Sequence, residues 1–178
     1  MKSLTALIVL AACLGTSSCF FPAEREHPKD SELIKNFQTH RAEFDELLEM
    51  FKADRSLGRV GPDFTRSASF FETCTGPNAW NGEEPEVSEG RLKDYRTRFT
   101  KLGLTAGIEG YCEKDAVHFH ASTRGLSVTG SSKGYAYLAS PPKIVVDDLD
   151  TYWSEDGKSF TAYRHIDGNW YLYFDYED

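Results

Sequence analysis

Two histidines at alternate positions, His118 and His120, have the residue type and spacing that could begin a catalytic metal site. Residues two apart on a β-strand point to the same face, so the pair could supply two ligands to one ion. His165 from a nearby strand could be the third ligand, which would leave a position open for water, as in zinc hydrolases. No motif fixes that third ligand, and we favour solvent-facing or hydrogen-bonded histidines.

Carboxylates are concentrated between two predicted strands, at Asp147, Asp148, Asp150, Glu155 and Asp156. Calcium binds several oxygens from one loop, and neighbouring carboxylates can serve as an acid–base pair. The run lacks the alternating ligands and central glycine of an EF-hand. It therefore predicts a solvated acidic loop, and we predict neither a metal nor another cofactor.

Other catalytic motifs are missing from the sequence. There is no Gly-x-Ser-x-Gly nucleophile elbow, no phosphate-binding loop and no nucleotide fingerprint. We therefore predict a non-enzymatic binding or interaction module. A periplasmic metal-dependent hydrolase that uses His118, His120 and the acidic loop is the alternative.

The N-terminus, from Met1 to Cys19, has the pattern of an export signal. A positive start at Lys2 precedes a nearly unbroken apolar run from Leu4 to Leu14, and small residues 15–18 lead to Cys19. This order is typical of a cleaved secretory signal. The run is shorter than the roughly 20 apolar residues that cross a bilayer.

A signal that ends on cysteine resembles the lipobox of bacterial lipoproteins, in which that cysteine becomes the acylated first residue. Residues 10–13 match the box better letter by letter, but cleavage before Cys13 would leave a very short signal. We therefore favour Cys19 as the lipid attachment residue, with residues 1–18 as the signal peptide. Phe20 follows where inner-membrane retention usually has Asp, so the resemblance implies a periplasm-facing anchor in the outer membrane. A secreted protein with a chance cysteine is the alternative.

With Cys13 in the signal and Cys19 acylated, two of the four cysteines remain, Cys74 and Cys112. Two such cysteines in an exported chain predict a disulfide. Two free buried thiols are the alternative, and neither cysteine has a second cysteine or histidine at zinc-ligand spacing.

The stretch from Ser67 to Val87 is the least regular part of the sequence, and Trp80 lies in it between turn signals. Long irregular loops in compact domains are often functional. An exposed Trp80 would be a candidate partner contact, whereas a tryptophan folded back over the core would be structural.

The last predicted strand is rich in aromatic residues: Trp170, Leu172 and Phe174 alternate with Tyr171 and Tyr173. One set must line the core. The tyrosines on the other face are possible contacts for a peptide, a glycan or a protein, because tyrosine combines an apolar body with a polar tip. Half-buried tyrosines that only stiffen the sheet are the alternative.

The composition limits the class of partner. The formal net charge is −8, and the isoelectric point is about 5.1. An acidic domain does not suit nucleic acid, which requires a basic footprint, or further docking on anionic lipid. It would suit a basic toxin, so an immunity-type lipoprotein that neutralises a toxin in the periplasm is a second alternative.

Helix signals mark the first half of the domain. After a charged tether at residues 19–30, Asp30 or Ser31 can cap a helix with an apolar stripe that runs to Phe51. A second helix is predicted between a Ser88 cap and Gly103. Residues 58–66 predict a short extended piece at a sheet edge.

From residue 108 the apolar period changes to two, which predicts strands at 116–123, 126–130, 134–139, 159–166 and 169–176. The connections are short, at 124–125, 131–133, 156–157 and 167–168, so neighbouring strands must be antiparallel. We therefore predict one α+β domain at residues 31–178, in which two N-terminal helices pack on a C-terminal antiparallel β-meander.

Two segments of the domain, Lys133-Gly134-Tyr135 and residues 169–173, resemble those of small uncharacterised exported bacterial proteins. The likeness implies export and transfers no functional residue.

Overall fold

The structure, a computed structural model, describes residues 27–71, 74–75, 81–82, 84–112, 114–126, 129–154 and 158–178. Within these ranges three helices pack on one face of a seven-stranded antiparallel sheet. The predicted α+β class is confirmed, but there are three helices instead of two, strands also lie between the helices, and the sheet is not a simple C-terminal meander. Cys13, Cys19, Trp80 and the predicted Asp156-Gly157 turn lie outside the described residues.

The predicted first helix is two helices, α1 at Asp30–Thr39 and α2 at Arg41–Ala53. The break is at His40, whose backbone has φ −119° and ψ 26°, although its N–H still bonds to the Asn36 and Phe37 carbonyls. No glycine or proline marks this break, so the sequence pattern gave no signal of it. The apolar stripe is continuous across it, and the rings of Phe37 and Phe44 lie 5.3 Å apart in the core.

Helix α3 spans Glu89–Leu102 and confirms both predicted ends. The Ser88 hydroxyl accepts a hydrogen bond from the Arg91 N–H at 3.2 Å, which satisfies one of the free donors of the first turn. The helix ends at Gly103, whose φ of 69° is in the left-handed region that glycine adopts without strain. Leu104 then donates its N–H to the Phe99 carbonyl and is buried against the core.

The sheet is larger than the predicted meander and has a different order, β2-β1-β3-β4-β5-β7-β6, with antiparallel neighbours throughout. Three short strands from the first part of the chain extend it. The connection after β5 reaches across the sheet, so β6 lies at the edge and β7 pairs with β5. The strands are β1 Leu57–Val60, β2 Thr65–Ser67, β3 Gly107–Glu109, β4 Ala116–Leu126, β5 Thr129–Leu138, β6 Phe160–Asp167 and β7 Trp170–Glu177.

Two predicted connections were wrong. Residues 124–125 continue β4, where Gly125 pairs with Gly130, and residues 131–133 lie within β5. The Lys133 ammonium pairs with Asp30 at the start of α1, and the Ser132 hydroxyl bonds to Tyr173 on the opposite face of the sheet, so the turn-like composition misled the prediction. The predicted hairpin at Asp167-Gly168 is confirmed, and Gly168 has a positive φ of 53°. The predicted extended piece at 58–66 is the β1–β2 hairpin, with β2 at the sheet edge.

The start of α1 is fastened to the sheet by a buried ion network. The Asp30 carboxylate lies 2.8 Å from the Lys133 ammonium of β5 and 2.9 Å from the Arg164 guanidinium of β6. Asp30 and Lys133 are 1% and 3% exposed, so this pair is well removed from water. Helix α1 begins at Asp30, and His27 already bonds to the Ser131 hydroxyl.

Candidate functional site

His118 and His120 lie on the sheet face opposite the helices, which we call the outer face. They project there because Val117 and Phe119 fill the alternate positions against the helices. The two histidines share a small cavity of about 190 Å³, whose wall is Glu109, His118, His120, Ser132, Thr161, Tyr163, Tyr173 and Asp175.

The polar groups in this cavity bond to one another. The His120 Nδ1 atom is 2.6 Å from the Tyr173 hydroxyl and 3.0 Å from the Ser132 hydroxyl, and those two hydroxyls are 2.6 Å apart. The His118 Nε2 atom is 3.3 Å from the Tyr163 hydroxyl. Of the two roles expected for these histidines, solvent-facing or hydrogen-bonded, the structure shows the second. A cavity smaller than the roughly 300 Å³ of typical ligand pockets fits an internal polar network better than a substrate site.

The electrostatics of the outer face follow from burial. Burial, with the neighbouring His120, lowers the pKa of His118 to about 4, so its imidazole is neutral at neutral pH. Burial alone would raise the pKa of Glu109, but the adjacent His120 and Arg59 overcome it and lower that pKa. Burial also raises the pKa of Tyr173, whose phenol remains protonated.

The structure does not bring the residues of the hydrolase hypothesis together. The His120 Nε2 atom lies 3.8 Å from the nearest Glu109 oxygen, too far for a hydrogen bond. His165 lies at the β6–β7 hairpin, where its Nε2 contacts the Gly168 carbonyl. Asp148 and Asp150 lie beside the start of α1, where Asp150 contacts Lys133.

One acidic group among the described residues, Asp30, Asp148 and Asp150, has oxygens close enough to share a metal ion. The Lys133 ammonium already lies 2.8 Å from Asp30 and 2.5 Å from Asp150. The ammonium lies between two of these carboxylates, where a metal ion would otherwise bind. We therefore assign the three carboxylates to the buried ion network.

The predicted disulfide is confirmed: Cys74 is bonded to Cys112, with Cα atoms 5.1 Å apart. It joins the irregular loop after β2 to the segment after β3. Asn81 closes the loop further, because its side-chain oxygen accepts from the Cys74 N–H and its amide donates to the Cys74 carbonyl. Cys74 is thus held both by the covalent bond and by local hydrogen bonds.

Three phenylalanines near this disulfide are exposed to solvent. Phe70 and Phe71 are 54% and 67% exposed, and Phe64 of the β1–β2 turn is 37% exposed. Ala68 and Cys74 on either side are 1% and 4% exposed. Since both flanking residues are anchored in the interior, Phe70 and Phe71 are held outward.

These rings form a continuous surface with one arginine. The Arg66 guanidinium lies 4.7 Å from the Phe70 ring and 5.5 Å from the Phe64 ring, and the Phe71 ring lies 4.9 Å from both Phe70 and Tyr111. We call this surface the Phe70–Phe71 patch, consisting of Phe64, Arg66, Phe70, Phe71 and Tyr111. No carboxylate in the described part of the chain lies within ion-pair distance of Arg66.

The partner-contact residues predicted from the sequence are not part of the Phe70–Phe71 patch. Trp80, the candidate in the same loop, is outside the described residues. Tyr171 and Tyr173 do lie on the outer face, as the alternation predicted, but they are only 8% and 2% exposed. Their role as partner contacts stays a prediction. Sequence reasoning missed Phe70 and Phe71, whose signal was a pair of adjacent aromatic residues in a polar stretch close to Cys74.

Comparisons with known proteins add no identification: no protein-family model, no curated protein and no solved structure matches this chain. Within the ranges that the structure describes, no helix combines the length and apolar character needed to cross a membrane.

Proposed function

We propose that this chain is a lipid-anchored envelope protein whose domain binds a protein partner through the Phe70–Phe71 patch. The observation that supports binding is the exposure of Phe70 and Phe71 on a loop that a disulfide fixes. Soluble domains rarely leave clustered large apolar side chains in water without an interaction role. A fixed loop also loses little conformational entropy on binding.

The chemistry of the patch suggests what it recognises. Aromatic rings with an arginine among them are the residue types that dominate binding energy at protein interfaces. The Arg66 charge favours an acidic or carbonyl-rich group in the partner beside an apolar anchor. A basic toxin would meet this arginine unfavourably, so the patch supports a general interaction module over the immunity-type alternative.

The export part of the proposal rests on the signal pattern and on cysteine chemistry. A disulfide such as Cys74–Cys112 persists in oxidising compartments, which supports a periplasmic location over a cytosolic one. Acylation of Cys19 would then hold the domain at the membrane, and Phe20 after it favours the outer membrane.

Site-specific photocrosslinking in the native host tests the binding proposal. A photoreactive phenylalanine analogue would replace Phe71, and a control variant would carry it at Lys93 on the exposed side of α3. We expect a discrete covalent adduct with one protein from position 71 and none from position 93. The same adducts from both positions, or none from position 71, would contradict the proposal.

A further inference from the structure

A second site, independent of the Phe70–Phe71 patch, lies where the chain enters the domain. An open cavity of about 380 Å³ is bounded by the residues before α1, the far ends of β4 and β7, and the segment at 149–153. Its volume is within the range of small-ligand pockets. The side chains that matter for its chemistry are His27, Lys29, Arg124, Trp153 and Phe174.

The charge of this cavity is opposite to that of the whole protein, whose net charge is −8. Lys133 at its base is already paired with Asp30 and Asp150. Lys29 and Arg124 differ, because neither has a side-chain ion pair with any residue in the described ranges. Two positive charges are therefore available at the mouth of the cavity for an anionic ligand.

His27 adds a neutral polar group to the same wall. Its Nε2 atom is 2.8 Å from the Ser131 hydroxyl, whereas its Nδ1 atom is removed from solvent and has no hydrogen-bond partner among the described residues. Burial, and then the nearby Arg124 and Lys133, lower the pKa of His27 to about 4. A ligand that reached the imidazole would satisfy an atom that is otherwise unpaired.

The opposite wall is aromatic. Trp153 is 52% exposed, although its ring is supported by Tyr176 at 4.6 Å and Phe160 at 5.7 Å. An indole that is braced on one side and open on the other provides a rigid flat surface with an N–H donor at its edge. The Phe174 ring, 5.6 Å from the His27 ring, continues the apolar surface.

We propose that this cavity binds an anionic sugar, with Arg124 and Lys29 pairing with its carboxylate or phosphate and Trp153 stacking on the sugar ring. The two free cations select for one acidic substituent, and the exposed indole selects for a ring with an apolar C–H face. Ions without a ring would use only half of this arrangement, and neutral sugars would use only the other half.

Calorimetric titration of the purified protein tests the proposal with four probes: glucuronate, glucose 6-phosphate, glucose and inorganic phosphate. We expect at least one of the two acidic sugars to bind roughly tenfold or more tightly than both glucose and inorganic phosphate, as one or two charge-assisted hydrogen bonds would give. A preference between the two acids would identify the substituent. Equal binding of glucose or of inorganic phosphate, or no binding of either acid, would overturn the proposal.

Variants locate the site. Arg124→Gln and Trp153→Ala should each weaken binding of the acidic sugar by roughly tenfold. Arg98→Gln is the matched control, because Arg98 is on α3 and pairs with Glu46; its affinity should equal that of the wild type. Unchanged affinity in Arg124→Gln would contradict the assignment even if Trp153→Ala failed to fold. Photocrosslinking at Phe71 is independent of these results, so failure of one proposal leaves the other standing.

Discussion

The disulfide between Cys74 and Cys112 holds the loop that carries Phe70 and Phe71 against the segment that follows β3. The backbone strengthens this link, since the Cys112 N–H donates to the Ala68 carbonyl at 3.3 Å. The covalent bond thus ties Cys74, shortly after Phe71, to the residue that follows Tyr111, and Phe71 packs on the Tyr111 ring.

Removal of the disulfide should destabilise the domain. The bond joins residues separated by 38 positions, and loop-closure entropy for a loop of this size gives about 4 kcal/mol. We expect Cys112→Ser to lower the free energy of unfolding in urea by a few kcal/mol. Lys143→Ser, an exposed change outside the loop, should leave it unchanged. Two free thiols per chain in denatured, unreduced protein, or unchanged stability of Cys112→Ser, would contradict the expectation.

The fold should lose stability in mild acid because of His118. Its imidazole is protonated near its ordinary pKa of 6.5 in the unfolded chain but only near pH 4 in the folded domain. Between these values the unfolded state binds more protons, so the free energy of unfolding falls as the pH drops from 6.5 to 4. The difference corresponds to at most about 3 kcal/mol.

Urea titrations at several pH values check this expectation. His118→Gln should flatten the acid limb of the stability profile, whereas His165→Gln, at the exposed hairpin, should retain the wild-type slope. Parallel profiles for wild type and His118→Gln would show that His118 does not remain neutral in the fold. His27, whose pKa is also lowered to about 4, would account for a remaining slope.

Breaking the buried Asp30–Lys133 pair should cost far more than breaking an exposed pair of similar length. Burial alone would raise the pKa of Asp30, but Lys133, Leu149 N–H and Arg164 together lower it. Lys133→Met leaves a buried carboxylate without its main partner and should cost on the order of 3 kcal/mol. Lys101→Met breaks the exposed pair with Glu43 and should cost much less, because water already screens that pair.

A double-mutant cycle checks that assignment. Adding Asp30→Asn to Lys133→Met should recover part of the lost stability, because the unpaired buried charge is then removed. Strict additivity of the two changes would mean that the residues are not energetically coupled.

The lipid anchor is expected at Cys19. Cys19→Ala should block attachment of labelled palmitate, while Cys13→Ala should leave it largely intact, because only the second cysteine has a full apolar run before it. Metabolic labelling of both variants beside the wild type gives the answer. Wild-type labelling of the Cys19 variant would contradict the assignment.

Local sequence signals predicted much of this fold, whereas the contacts between distant segments could not be predicted. The Ser88 cap, the Gly103 terminus and the Asp167-Gly168 hairpin depend on neighbouring residues, and each was found where the sequence indicated. The placement of β6 outside β7 depends on contacts between distant segments, for which single-sequence periodicity carries no information. The Ser131-to-Lys133 stretch was misread because its polar side chains serve the outer face and the buried ion network.

The candidate sites were predictable only in part. The alternation that put both His118 and His120 on the outer face was readable from the strand period. The exposure of Phe70 and Phe71 was not, because adjacent phenylalanines usually predict burial. Only the positions of Ala68 and the disulfide in three dimensions show that the rings between them must face water. The sequence likewise could not show that Lys29 and Arg124 have no ion pair among the described residues, because this depends on which carboxylates pair with other cations in three dimensions.

The central claim is that the Phe70–Phe71 patch is a protein-binding surface, and the dissociation constant of the crosslinked partner tests it most directly. Phe71→Ser should weaken binding by about 30-fold, the loss of one aromatic anchor worth about 2 kcal/mol. Its free energy of unfolding should stay within about 0.5 kcal/mol of the wild type, because the ring is exposed. Trp153→Ser, in the cavity beside the start of α1, should retain the wild-type affinity for this partner. An affinity of Phe71→Ser within twofold of the wild type would contradict the account.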